Sequence, residues 1–204
     1  MTIEKISRMN DYMTTVLMIA YLNLLWVGGT LLGLVFFGVG PATYAMMNYY
    51  DRWLRLGEQP PIARTFWNSY KERYRQSLLI SWLLMIIGTI LIVNIFTLHQ
   101  WYYQVANVLV LIVVLIGSTH IYTIMSATTF DSILAIIRGS ALLGLGYLHY
   151  SIISWTVIIV SYLIASRLSL ALVFIWGIGF MGFILGYTGK IILKDFTPIQ
   201  IESS

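Results

Sequence analysis

Five stretches of this chain are apolar over about the length of a bilayer-crossing helix and contain no Asp, Glu, Lys or Arg. They are residues 12–38, 77–97, 105–126, 147–166 and 169–189. About 20 apolar residues in a helix cross the hydrocarbon core. No water reaches peptide groups there, so only structures that satisfy their own backbone survive. The pattern predicts an all-α fold: a polytopic membrane helical bundle of about five transmembrane helices, forming one membrane domain over residues 1–204. Composition agrees, with 59% hydrophobic and only 10% charged residues, against about 25% charged in a soluble protein. The first run exceeds the roughly 7–15 apolar residues of a cleavable signal. It also lacks a small-x-small site ahead of a polar mature region, so it is expected to be a retained span.

Charge placement predicts the orientation. Residues 41–76 carry Arg52, Arg55, Arg64, Lys71, Arg73 and Arg75, whereas the following loop, TLHQWYYQ, has no cation. With residues 41–76 and the segment holding Arg138 inside, and Lys190 and Lys194 in an inside tail, nine of the twelve basic residues are cytoplasmic. The positive-inside rule then places the N-terminus out and the C-terminus in. Glu4, Lys5, Arg8 and Asp11 leave the N-terminal segment near neutral, and Arg167 is alone in its turn. The first span is interrupted at Gly28–Gly29; folding back there would return the N-terminus to the cytoplasm.

The polar residues gather in YYDRWLRLGEQPPIARTFWNSYKERYRQS, residues 49–77. Gly40–Pro41 ends the first span, and Pro41 suits the start of a new helix, where its missing N–H costs nothing. From there Ala42, Ala45, Met46, Tyr49 and Trp53 share one helical face, while Asn48, Asp51, Arg52 and Arg55 share the other. The sequence GEQPP stops that helix. A second follows, with Ile62, Phe66, Tyr70 and Tyr74 in one stripe. The passage is expected to be a cytoplasmic amphipathic helical hairpin, 41–76, lying on the inner membrane surface with its aromatics in the headgroup layer. Its cations serve either lipid anchoring alone or the docking of a partner protein. No nucleic-acid fold signature accompanies them.

Certain features here are specific: a Gly-Pro-Ala-Thr turn (Gly40–Thr43), a Gly-Glu-x-Pro segment (Gly57, Glu58, Pro60), the Phe66–Trp67 pair and a basic-aromatic run into Gln76. Over residues 22–82 the chain resembles the YesL family of small bacterial membrane proteins, a family of unknown function. The resemblance implies a multi-pass protein of the bacterial cell membrane. It also implies companionship with carbohydrate ABC importers, because genes of this family often lie beside sugar-uptake genes. Arg52, Arg55, Arg64, Phe66, Trp67, Lys71, Arg73 and Arg75 are the candidate partner-binding residues.

Intramembrane ionisable residues mark most catalytic and proton-coupled membrane proteins, and acidic or basic ones are absent from the five segments. Cysteine is absent altogether, which excludes disulfides, thiolate metal sites and a cysteine nucleophile. His120 and His149 lack the convergent partners a metal requires, and are expected to be neutral, hydrogen-bonded histidines. Asn23 and Asn94 are expected to join helices. No P-loop is present. No enzyme activity, cofactor or metal is expected.

The glycines carry a pattern of their own. Gly179, Gly182, Gly186 and Gly189 fall on one face of the fifth span, and Gly29-x-x-x-Gly33 repeats the small-residue spacing in the first. Small residues let helices approach closely in lipid. The contact is either spans one and five packing together or a subunit contact in a homo-oligomer. A faint internal repeat is also legible, with SLLISW from Ser77 echoed by SIISW from Ser151.

Three functions fit this sequence. The first is a non-catalytic accessory membrane subunit that binds and supports a partner complex, a carbohydrate ABC permease or its ATPase. The alternative is a small self-assembling channel or transporter, lined by groups such as Asn23, Asn94, Ser118 and His120. A third is an assembly or signalling factor acting through the basic hairpin.

Overall fold

The computed structural model describes residues 3–130 and 132–194. Among them the chain is all-helical: α1 (Ile3–Leu32), α2 (Val39–Tyr50), a π-helical turn (Asp51–Arg55), α3 (Ile62–Glu72), α4 (Tyr74–Thr97), α5 (Trp101–Ser118), α6 (Ile121–Ala127), α7 (Ile133–Gly146), α8 (Leu148–Leu168) and α9 (Leu170–Ile192). Five segments are long and apolar enough to span a bilayer: Tyr12–Leu32, Tyr74–Thr97, Trp101–Ala127, Leu148–Leu168 and Leu170–Ile192. The outward faces of α4, α5 and α8 are crowded with exposed Leu, Ile and Val. In water these faces would be untenable; against acyl chains they are the solvated surface. The protein is a multi-pass membrane protein.

The first span ends earlier than its hydrophobicity suggests. Helix α1 stops at Leu32, beyond Gly28–Gly29, and residues 33–38 form a tight turn. Gly33 and Gly38 close this turn, for a Cβ on Gly33 would collide with the Gly38 backbone. Leu34 and Val35 adopt φ of 51° and 66° to reverse the chain. Every backbone N–H from Gly33 to Val39 finds an acceptor inside the turn or in α1. The carbonyl of Phe36 accepts from Trp82 Nε1 at 2.9 Å and that of Phe37 from the Tyr74 hydroxyl at 3.3 Å. The turn thus leaves none of its backbone N–H groups without an acceptor, as peptide groups cut off from water require. Its side chains Leu34, Val35, Phe36 and Phe37 all point outward.

Helix α2 is the centre of the molecule. It packs against α1, α3, α4, α6 and α9. Gly40, Pro41, Ala42, Tyr44, Ala45, Met46, Met47, Tyr49 and Tyr50 are all buried. The hairpin expected over 41–76 forms, since α3 folds back on α2, but its first helix does not lie on lipid. The reason is steric as much as hydrophobic. Gly40 lets α2 sit against Ser77 and Ser81 of α4, and Gly182 and Gly186 open a channel in α9 that Met46, Tyr50 and Leu54 fill.

Two fastenings hold α9 to this centre. Asn23 of α1 donates to the Phe174 carbonyl at 2.9 Å and accepts from the Gly179 amide at 3.0 Å. The Tyr50 hydroxyl donates to the Gly179 carbonyl at 2.8 Å. Asn94 of α4 likewise reaches Asn107 of α5. Both asparagines therefore join helices, as expected from hydrogen bonding in lipid.

The echo between Ser77 and Ser151 extends to backbone geometry. Helices α3 and α4 are separated by one residue, Arg73, at φ −115°, ψ 35°; α7 and α8 are separated by Tyr147 at φ −112°, ψ 39°. Each serine lies four residues on, is fully buried, and donates to the kink residue's carbonyl. The order long helix, short buried helix, connecting helix, kink, long helix runs through α1–α4 and again through α5–α8. The third span accordingly breaks at Thr119–His120 into α5 and α6.

Candidate functional site

The aromatics of the 49–77 stretch have chosen protein over lipid. Phe66 is completely buried in the α1–α2–α3 junction. Gly29 makes room for it, with the rings of Tyr70 and Phe66 over the glycine. The Tyr70 hydroxyl then donates to the Gly29 carbonyl at 3.1 Å, and Asn48 of α2 donates to Ser69 of α3 at 3.0 Å. Trp67 is half-buried, edge-on to Phe66 and Tyr70. Phe66 is therefore a packing residue and not a partner-binding one, because no outside group can touch it.

The six cations separate into two groups. Arg55 forms a two-pronged pair with Asp51, Nε to Oδ1 and Nη2 to Oδ2, both 2.7 Å, and both side chains are under 10% exposed. The hydrogen bonds to Asp51 hold the Arg55 pKa above its ordinary value against the opposing effect of burial. Arg73 donates to the carbonyls of Met125 at 2.7 Å and Phe130 at 3.2 Å, tying the α3–α4 kink to the end of α6. Arg52 pairs with Glu58 at 2.7 Å across the turn. Arg55 and Arg73 are thus structural, and Arg52 is half engaged. Arg64, Lys71 and Arg75 are exposed and make no ion pair among the described residues. On α3, Arg64, Asn68 and Lys71 form one outward strip, opposite Thr65, Phe66 and Ser69. Asp51, which its spacing put on a polar outer face, is 6% exposed. The i,i+4 spacing of Asp51 and Arg55 was the available signal for their pairing. Nearby, burial and the Glu72 carboxylate push the Tyr44 phenol up to about 12, so it stays neutral.

The glycine face of α9 looks inward. Gly179 meets Ile19 and Asn23 of α1, Gly182 and Gly186 meet Met46 and Tyr50 of α2, and Gly189 meets Thr123 of α6. Of the two contacts open from the sequence, the intramolecular one is occupied, and α2 shares it with α1. Gly29 and Gly33 do not meet α9; they serve α3 packing and the turn.

Inside the bundle the polar groups are mostly satisfied. His120 is 1% exposed, and its Nε2 lies 2.9 Å from Ser151 Oγ. Its Nδ1 and the Thr123 hydroxyl have no partner among the described residues. No cluster of metal-ligating side chains occurs among them. A cavity of about 250 Å³ lies between α2, α5, α6, α8 and α9, with Met46, Met47, Met181 and Trp155 in its walls. Its Thr119 hydroxyl is engaged, accepting from Trp155 Nε1 and donating to Leu115. The cavity is lined mainly by apolar side chains and is suited to an apolar group.

Residues 19–95, from α1 through the hairpin to the end of α4, match the family described as "Protein of unknown function, DUF624". This stretch of the chain is YesL-like. YesL of Bacillus subtilis (strain 168), an uncharacterized protein, is 38% identical over 69 residues, 34% of this chain and 33% of its own length. YteU of the same organism, also uncharacterized, is 36% identical over 89 residues, 44% of this chain and 40% of its own. Each match thus spans well under half of the curated relative. No solved structure matches. The YesL-like region contains α2 with its π-helical turn, α3, and their seats on α1 and α4. The α5–α9 half lies outside it.

Proposed function

We propose that the protein is a non-catalytic accessory subunit that docks a partner membrane complex through the exposed strip of α3. The observation that carries this is the two-faced character of α3. One face is fixed by Phe66, Ser69 and Tyr70, while Arg64, Asn68 and Lys71 point outward on a helix held rigid from behind. A cationic strip on a pre-ordered helix loses little entropy on binding and complements an acidic partner surface. The partner is the carbohydrate ABC importer that the YesL resemblance implies, permease or ATPase. The strip then faces the cytoplasm of a bacterial cell, with N-terminus out and C-terminus in. Binding rather than transport is favoured because Asn23, Asn94 and His120 are each turned to a neighbouring helix.

The test is purification of the tagged chain from its native host in mild detergent, with mass spectrometry of what remains attached. Near-stoichiometric importer subunits, lost from an Arg64→Glu/Lys71→Glu variant that still inserts and folds, are the expected result. A homo-oligomer without partner would sink this proposal and move the channel reading to the front.

A further inference from the structure

The first turn of α4 joins two concave surfaces of opposite character. Below it, an apolar groove of about 600 Å³ runs between the 33–38 turn and α4, lined by Phe36, Phe37, Trp82, Met85, Ile86 and Ile90. Above it, at the α3–α4 kink, a polar concavity is bounded by Lys71, Glu72, Arg73, Tyr74 and Arg75. Three cations against one carboxylate leave it net positive. Tyr74 belongs to the upper surface and anchors the lower, since its hydroxyl holds the Phe37 carbonyl.

The groove has fixed walls. Trp82 Nε1 holds the Phe36 carbonyl at 2.9 Å, and the Trp82 and Phe37 rings lie 5.3 Å apart. Arg75 stands on the same helical stripe as Trp82 and Ile86, seven residues before the tryptophan, a rise of about 10 Å. Since the span begins at Tyr74, Arg75 lies at headgroup level and the groove extends from there into hydrocarbon. Arg75 is exposed and unpaired among the described residues. A cation at the headgroup, a fixed apolar channel beneath it and a membrane around both have one natural occupant.

We propose that this is a specific site for one anionic glycerophospholipid, its phosphate on Arg75 and Lys71 and one acyl chain in the Phe36–Phe37–Trp82–Ile90 groove. The membrane supplies the ligand, and the fixed groove selects one molecule from the bulk. Cations near a membrane surface favour anionic over zwitterionic lipid, and Arg75 adds geometric selection because guanidinium binds phosphate through two parallel hydrogen bonds.

Native mass spectrometry of the full chain, delipidated and then exposed to phosphatidylglycerol or phosphatidylcholine, tests it. Wild type is expected to keep one phosphatidylglycerol with at least about fivefold preference. Arg75→Gln removes that preference. Ile86→Trp, which fills the groove at a lipid-facing position, weakens retention of both lipids, and Arg138→Gln on α7 changes neither. Equal retention of the two lipids by wild type, or the same loss in Arg138→Gln as in Arg75→Gln, overturns the proposal. So does displacement of the lipid by inorganic phosphate at matching concentration, which would mark a soluble-anion site. Arg75→Gln leaves Arg64, Asn68 and Lys71 of the α3 strip in place. Importer retained by that variant while the lipid preference is lost therefore separates failure of this site from failure of the docking proposal.

Discussion

A Cβ at Gly179 would lie 2.6 Å from the Ile19 carbonyl oxygen and 2.9 Å from Asn23 Cβ, and backbone cannot step aside as a side-chain tip can. Gly179→Ala is therefore expected to destabilise the protein by about 1–3 kcal/mol, the usual cost of overpacking. It would also disturb the Asn23 and Tyr50 hydrogen bonds that converge there. Gly28→Ala meets nothing within 4 Å and should leave stability unchanged or slightly raised; thermal unfolding in detergent compares the two. A second contrast separates the ion pairs. Asp51→Ala leaves the Arg55 guanidinium buried without its carboxylate, a loss on the order of 3–5 kcal/mol. Glu58→Ala breaks an exposed pair and should cost at most about 1 kcal/mol. Comparable losses in the two variants would mean that the Asp51–Arg55 pair is solvated.

At the scale of elements, the turn after α1 and the burial of α2 make a distinctive accessibility pattern. The absence of cysteine gives a clean background for single-cysteine probes. A water-soluble maleimide should label Lys71→Cys and miss Ala45→Cys, which is enclosed by protein. It should also miss Leu34→Cys, although Leu34 is 76% exposed to the outside of the chain, because that outside is hydrocarbon. Rapid labelling of Leu34→Cys in membranes would place the turn in water and contradict the lipid-facing reading of residues 33–38. The hairpin itself was legible from Pro41, GEQPP and the apolar spacing of α3. The surface that covers α2 was not. An apolar face at helical spacing reads alike whether it meets lipid or α9.

For the whole molecule, the charge asymmetry across the spans makes a definite forecast of orientation. In intact cells, Lys71→Cys should resist an impermeant maleimide until the membrane is permeabilised, while His99→Cys, in the loop between α4 and α5, should be labelled at once. The reverse result would invert the topology and place the α3 strip outside, away from any ATPase. The α1–α4 order and its recurrence in α5–α8 bear on how such a bundle is held. The two short buried helices, α2 and α6, pack on each other at the centre, so each half covers the other's interior.

The sequence by itself determined the fold class, the approximate position of the five spans and the place where charge collects. These depend on transfer free energies and on backbone satisfaction in lipid, which act residue by residue along the chain. It also marked Asn23 and Asn94 as helix fasteners, since polar groups in hydrocarbon must find one another. Tertiary structure alone decided which surface each face meets. It turned the α9 glycines toward α2, withdrew Phe66, Arg55 and Arg73 from the partner-facing set, and left Arg64, Lys71 and Arg75 outward. The contacts of α9 with α2 join residues more than a hundred positions apart, and Phe66 to Gly29 and Arg73 to Met125 join residues tens of positions apart. The Asp51–Arg55 pair lies within one helical turn, but its burial depends on the packing of the same distant elements, which no local pattern encodes.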